Sequence, residues 1–97
     1  MTPNPAPPTR LHLLISGRVQ GVGFRYAVLA EARRMGIRGW VRNTQDDGVE
    51  LLAEGDASCL HRLVTWSHGG PPGALVKDVD ARWLPATGEF DDFSIRR

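Results

Sequence analysis

Leu11, Leu13 and Ile15 alternate with His12, Leu14 and Ser16, a period of two that predicts a first strand ending near Gly17. From Phe24 the period changes. Phe24, Val28, Ala32 and Met35 recur at helical spacing, with Glu31, Arg33 and Arg34 between them to face water. Gly36 stands where a left-handed C-terminal cap closes such a helix. Ile37, Gly39, Val41 and Asn43 then share one face of a second strand, and Arg38, Trp40, Arg42 and Thr44 the other. Gln45-Asp46-Asp47-Gly48 brings turn chemistry, its Asp-Gly pair signalling a hairpin. Val49, Leu51 and Ala53 alternate with Glu50, Leu52 and Glu54 as the returning third strand. Past Gly55, Asp56 is placed to cap a second helix with a buried stripe of Leu60, Leu63 and Val64, and Gly69-Gly70-Pro71-Pro72-Gly73 ends it. Val79, Ala81 and Trp83 predict a fourth strand, and Phe93 and Ile95 a short last one.

That order predicts an α+β fold, a ferredoxin-like βαββαβ sandwich. It has one mostly antiparallel sheet, order 4-1-3-2 with a short fifth edge strand, and both helices on one face. The helix joining the first two strands is a crossover, so those strands run parallel with the third between them. Their C-terminal ends therefore share one edge of the sheet. Residues 1–10 read as a mobile Pro-rich N-terminal tail and residues 11–97 as the single domain, with no internal repeat.

Composition narrows the function classes. The 97 residues, 41% of them hydrophobic, supply one modest core. Twelve basic and 11 acidic residues leave a formal charge of +1, which argues against bulk nucleic-acid binding or a polybasic membrane anchor. The single cysteine, Cys59, excludes an intramolecular disulfide and a Cys-rich metal site; it reads as a small apolar residue on the second helix. No run approaches the ~18 apolar residues of a membrane span. The Pro-rich stretch Thr2 to Thr9 lacks a charged region followed by an apolar one, so it is not a signal peptide. The expected compartment is the cytoplasm.

The most informative stretch runs Ile15-Ser16-Gly17-Arg18-Val19-Gln20-Gly21-Val22-Gly23-Phe24-Arg25. Three glycines between an apolar run and an amphipathic one give strand, Gly-rich turn and helix, a pattern that aims backbone N–H groups at one point. An anion, most often a phosphate, is the natural occupant. Arg25 falls in the first helical turn, where the positive end of the helix dipole disfavours a cation by a few tenths of a kcal/mol or more. A neighbouring anion offsets that cost. The predicted topology brings Asn43, near the end of the second strand, to the same sheet edge.

The reactive groups that are missing matter as much. Near this edge there is no Ser-His pair, catalytic Cys or pair of carboxylates, and His12, His61 and His68 have no metal-ligand spacing. An anion cradle, an arginine and an amide side chain can bind a phosphoryl group, stabilise charge on its oxygens and orient a water. Phosphoryl transfer through a loose transition state needs little else. The leaving group must then be good. A carboxylate, with a pKa near ~4, departs as an anion unaided, whereas an alkoxide would call for a metal or a general acid. A mixed acyl–phosphate anhydride is the substrate class this chemistry prefers.

Gly17 through Arg25 also resembles the first signature of the acylphosphatases, Gly-x-Val-Gln-Gly-Val-x-Phe-Arg, at every specified position. Gly39-Trp40-Val41-Arg42-Asn43 resembles their second. The likeness runs from about Leu11 to the closing Phe93-Ser94-Ile95. It implies a small free-standing acylphosphatase in which the loop amides of Arg18, Val19, Gln20, Gly21 and Val22 hold the phosphate. Arg25 clamps its oxygens, Asn43 orients the attacking water, and Gly17, Gly21 and Gly23 set the loop geometry. It further implies no cofactor, no metal, a monomer, and inorganic phosphate as product and competitive ligand. The pattern departs at one place: the family usually has Gly four residues after the Asn, where this chain has Asp47 and places its glycine at Gly48. Val49, Glu50 and Gly55 stay in step.

Plainer readings exist for each part. The glycines alone make a tight turn, Arg25 alone is a surface cation, and Asn43 alone caps a strand end. Trp40 reads as packing or pocket rim, and Arg38 and Arg42 as a solvated stripe. A ferredoxin-like RNA-binding module would need aromatic residues on the exposed sheet face, and Val49 to Ala53 contain none. A domain serving carbamoyl transfer within a larger protein is a further reading, against which stands the chain's end just after the last strand.

Overall fold

The computed structural model describes residues 7–97. Its elements are β1 (Thr9–Arg18), α1 (Phe24–Arg34), β2 (Arg38–Asn43), β3 (Val49–Gly55), α2 (Ala57–Ser67), β4 (Leu75–Pro85) and β5 (Phe93–Ile95). The sheet order is β4-β1-β3-β2-β5. β3 is antiparallel to both β1 and β2, so β1 and β2 run parallel, as the crossover requires. β5 pairs in parallel with β2 along the outer edge. This is the ferredoxin-like arrangement read from the pattern. β1 begins at Thr9, two residues ahead of the expected boundary at Leu11, and most of the Pro-rich tail lies outside the described residues.

Alternation decides which face each strand buries. Leu11, Leu13 and Ile15 of β1, Val41 of β2, and Val49, Leu51 and Ala53 of β3 form one cluster with Phe24, Val28 and Ala32 of α1 and Leu60 and Leu63 of α2. Both helices therefore cover the same face. Each of these side chains contributes roughly 1.5–3 kcal/mol for full burial of a large apolar group, and less for Ala. Val64 is an exception to the predicted stripe of α2, being only partly buried, and Trp83, which follows the alternation expected of the fourth strand, is 40% exposed. Trp83 lies on the sheet-edge strand β4, where its ring rests at 4.5 Å from that of His61 instead of sinking into the core.

Helix ends follow the chemistry of their residues. Gly36, at φ 68°, closes α1 in a Schellman motif: the Ile37 N–H donates to the Ala32 carbonyl and the Gly36 N–H to that of Arg33. Asp56 caps α2, its Oδ1 accepting from the Ser58 N–H at 2.8 Å. The β2–β3 turn differs from expectation. The left-handed residue is Asp47, at φ 67°, and Gly48 has no positive φ. Gly48 is instead confined by space, because a Cβ there would lie 2.8 Å from the Ile15 carbonyl oxygen.

At the far end of the sheet Glu54 ties down the segment after β4. Its carboxylate accepts from the Thr87 and Gly88 N–H groups at 2.8 and 2.9 Å and from Arg10 Nε at 2.6 Å. Burial pushes this carboxyl up, but the two backbone donors and the Arg10 guanidinium outweigh it and hold it down at about 2.

Candidate active site

Register places the two signatures at one edge. Val49 of β3 pairs with Ile15 on one side and Asn43 on the other, so Asn43 is level with a point three residues before Arg18. α1 starts from that same edge. The loop 19–23 is held by its apolar side chains: Val19 is 1% exposed and Phe24 2%, and Val22 packs against the core. The Phe24 ring meets Trp66 of α2 edge-on at 5.6 Å. With the side chains turned inward, the backbone is left to face outward.

That backbone is unpaired. Among the described residues, the amides of Val19, Gln20, Gly21 and Val22 donate to no protein acceptor. Gly21 and Gly23 have φ 76° and 75°, the left-handed conformation that turns successive N–H groups to one side. Gly23 is also the N-cap of α1 and supplies no side-chain cap, and the first turn contains no acid. The positive end of α1 is thus neither capped nor neutralised by its own sequence. Gly17 has a different reason to be glycine. It sits at φ 124° in a bulge where β1 meets β4, and a Cβ would fall 2.2 Å from the Leu75 carbonyl oxygen.

Arg25 is half-buried in the first turn of α1. Among the described residues, five arginines form ion pairs with carboxylates. Arg25 is not one of them, and among the described residues its guanidinium makes no hydrogen bond. The Asn43 side-chain amide, at the end of β2, also makes none within that set. Arg18 and Val19 join Gly17, Gln20 and Asp47 in lining a shallow depression of about 320 Å³.

Gln20 supplies the connection that reasoning from sequence missed. Its Nε2 donates to the carbonyls of Thr44 and Gly48, each at 2.9 Å, and so ties the Gly-rich loop to the hairpin that follows Asn43. The available signal was a long amide side chain within an otherwise apolar and glycine loop. Asp47 on the wall of the depression was also missed; its signal was an acid at the position where a glycine was expected. A cavity of about 380 Å³ lies at the opposite end of the sheet and includes Gly36, Arg38, Glu54 and Asp56. It lacks a free backbone cradle, and Glu54 is already committed to its own contacts. The depression at the Gly-rich loop is the better candidate.

Comparison with known proteins places the chain in a family. The acylphosphatase family model matches residues 11–95. The chain belongs to the acylphosphatase family. It is 51% identical over 87 residues to an acylphosphatase of Anaeromyxobacter sp. (strain Fw109-5), spanning 90% of this chain and 94% of that protein. The crystal structure of acylphosphatase from Bacillus subtilis superimposes with a TM-score of 0.88 at 37% identity, covering 92% of this chain and 99% of that one. Full-length HypF, solved in its phosphate- and nucleotide-bound form, also contains the fold. There the TM-score is 0.81 at 25% identity, and 93% of this chain matches only 12% of HypF. This acylphosphatase-family chain is therefore a hydrolase by kinship, built on the ferredoxin-like sheet.

Proposed function

We propose that the protein hydrolyses acyl phosphates to a carboxylate and inorganic phosphate. The observation that carries this reading is the run of four unpartnered amides, Val19 to Val22, beside the unpaired Arg25. The phosphoryl oxygens accept from these amides, and the Arg18 amide completes the cradle. The planar fork of Arg25 takes two oxygens at once, which a lysine cannot do. Asn43 holds a water through its side-chain carbonyl and directs it at phosphorus. As the water oxygen bonds to phosphorus, the bond from phosphorus to the acyl oxygen breaks. The carboxylate leaves with the electron pair, and the water proton passes to the phosphate.

No cofactor enters this scheme. A carboxylate leaving group departs without Lewis-acid help, which supports a metal-independent reaction. Among the described residues no group of three or more His, Cys, Asp and Glu is placed to hold a metal ion. Inorganic phosphate, sharing the phosphoryl oxygens, is the expected competitive ligand. No described helix is long and apolar enough to cross a membrane. We propose a monomeric cytoplasmic enzyme with a small-molecule substrate and no nucleic-acid partner.

The test is hydrolysis of benzoyl phosphate in the presence of a metal chelator, with Arg25→Ala and Asn43→Ala beside the wild type. Each variant is expected to lose roughly 10²-fold or more, as for removal of a preorganised stabilising group, and Arg25→Lys should also be poor. Activity lost in chelator would rule out the metal-free route, and normal turnover by Asn43→Ala would remove Asn43 from the water site. No carboxylate, histidine or thiol is given a part in the reaction, so the rate should be nearly flat from mildly acidic to neutral pH.

A further inference from the structure

The wall of the phosphate cradle carries one acid. Asp47, at the tip of the β2–β3 hairpin, lines the depression together with Gly17, Arg18, Val19 and Gln20. It is also the one non-glycine residue of the described chain with a left-handed backbone, at φ 67°. Its neighbour Asp46 is engaged by the Thr44 hydroxyl. Asp47 is exposed and, among the described residues, has neither an ion pair nor a side-chain hydrogen bond. An unpaired carboxylate on a residue that lines a site for anions acts on whatever anion enters.

We propose that Asp47 is a specificity-determining residue of this site, lowering the affinity of the cradle for anions in proportion to their charge. The proposal rests on the acyl phosphate reading above. Its consequence is twofold. Inorganic phosphate is released more readily, and acyl phosphates with a second anionic group on the acyl part bind less well than those with a neutral one. The hairpin that carries Asp47 is tied to the cradle through Gln20, so its charge is held beside the site. Across a few ångströms of partly hydrated surface, one unit charge alters anion affinity by about threefold to tenfold at low salt. The effect fades as the screening length contracts from ~30 Å at about 0.01 M salt to ~3 Å at about 1 M.

The experiment compares wild type with Asp47→Asn and Asp47→Gly. Asparagine keeps the shape and tolerates the left-handed backbone, so it removes charge alone; glycine removes charge and also relaxes the backbone. Three quantities are measured at low and high salt: KM for benzoyl phosphate, KM for 4-carboxybenzoyl phosphate, and the inhibition constant of inorganic phosphate. Both variants are expected to lower the phosphate inhibition constant about threefold or more at low salt, with the gap closing at high salt. The KM ratio of the carboxylated to the plain substrate should fall in both. An unchanged inhibition constant in Asp47→Asn overturns the proposal, as does a change seen only in Asp47→Gly or one indifferent to salt. If the wild type does not cleave benzoyl phosphate, or if Arg25→Ala cleaves it equally well, the acyl phosphate reading itself has failed and this proposal with it. Cleavage by the wild type with an Asp47→Asn variant that behaves identically defeats the role of Asp47 alone.

Discussion

Replacing Gln20 by Ala removes both hydrogen bonds between the Gly-rich loop and the hairpin while leaving the backbone sequence around them intact. The two carbonyls affected are not equivalent. That of Gly48 also accepts from the Thr44 N–H at 2.9 Å, so it loses one donor of two. That of Thr44 has no second donor among the described residues. With a typical net hydrogen bond near ~1 kcal/mol and a partly water-accessible site, the total comes to about 1.5–2 kcal/mol. For a domain of this size that lowers Tm by roughly 6–15 °C. The effect on turnover should be larger than stability alone implies. The proposed cradle stands on the loop after β1 and Asn43 at the end of β2, with β3 between them, and a misplacement of about 1 Å can cost ~10²-fold in rate. Because the amides proposed to bind phosphate stay on the loop, kcat should fall more than KM rises. Thermal unfolding and benzoyl phosphate kinetics on the purified variant measure both. Gln20→Glu should be more destabilised than Gln20→Ala at neutral pH, since it sets a carboxylate against two carbonyl oxygens. A Gln20→Ala protein with wild-type Tm and wild-type kcat would refute the coupling. One that is less stable but turns over normally would reduce Gln20 to a structural tie.

Three other outcomes follow from the same geometry. The Glu54 carboxyl is held at about 2 against an ordinary 4.5, so the stability it contributes is complete above about 4.5 and is lost as pH falls toward 2. Denaturant midpoints measured across that window should drop in the wild type and flatten in Glu54→Gln. Asp47→Gly should raise stability by about 1 kcal/mol, because glycine holds φ 67° without the side-chain clash of a left-handed L-residue; a lower denaturant midpoint would contradict this. Gly17→Ala should cost about 3 kcal/mol or more, since its Cβ would meet the backbone of Leu75 and Lys77 at 2.2 and 2.6 Å. Gly21→Ala, with nothing within 4 Å, should cost only the ~1–2 kcal/mol of left-handed strain, and equal losses in the two variants would contradict the crowding at Gly17.

Local pattern carried most of the fold. The strand faces, the left-handed cap at Gly36 and the N-cap at Asp56 follow from period and residue type, because each is settled by interactions within a few residues along the chain. The parallel relation of β1 and β2 was also legible, since a crossover helix allows little else. From that relation came the shared edge of the Gly17–Arg25 loop and Asn43. Three things were decided only in three dimensions. Trp83 has the alternation of a core residue yet lies 40% exposed, its ring set 4.5 Å from that of His61 on the second helix. The hairpin turn takes its left-handed residue from Asp47 and not from Gly48, and position 48 requires glycine because a Cβ there would lie 2.8 Å from the Ile15 carbonyl of a strand distant in sequence. The Gln20 side chain reaches carbonyls 24 and 28 residues away, a partnership no local window contains. The sequence by itself determined the elements and the chemistry available at the loop. Tertiary structure decided which residues hold that loop to Asn43 and which charge faces it, because both depend on segments that meet only when the sheet closes.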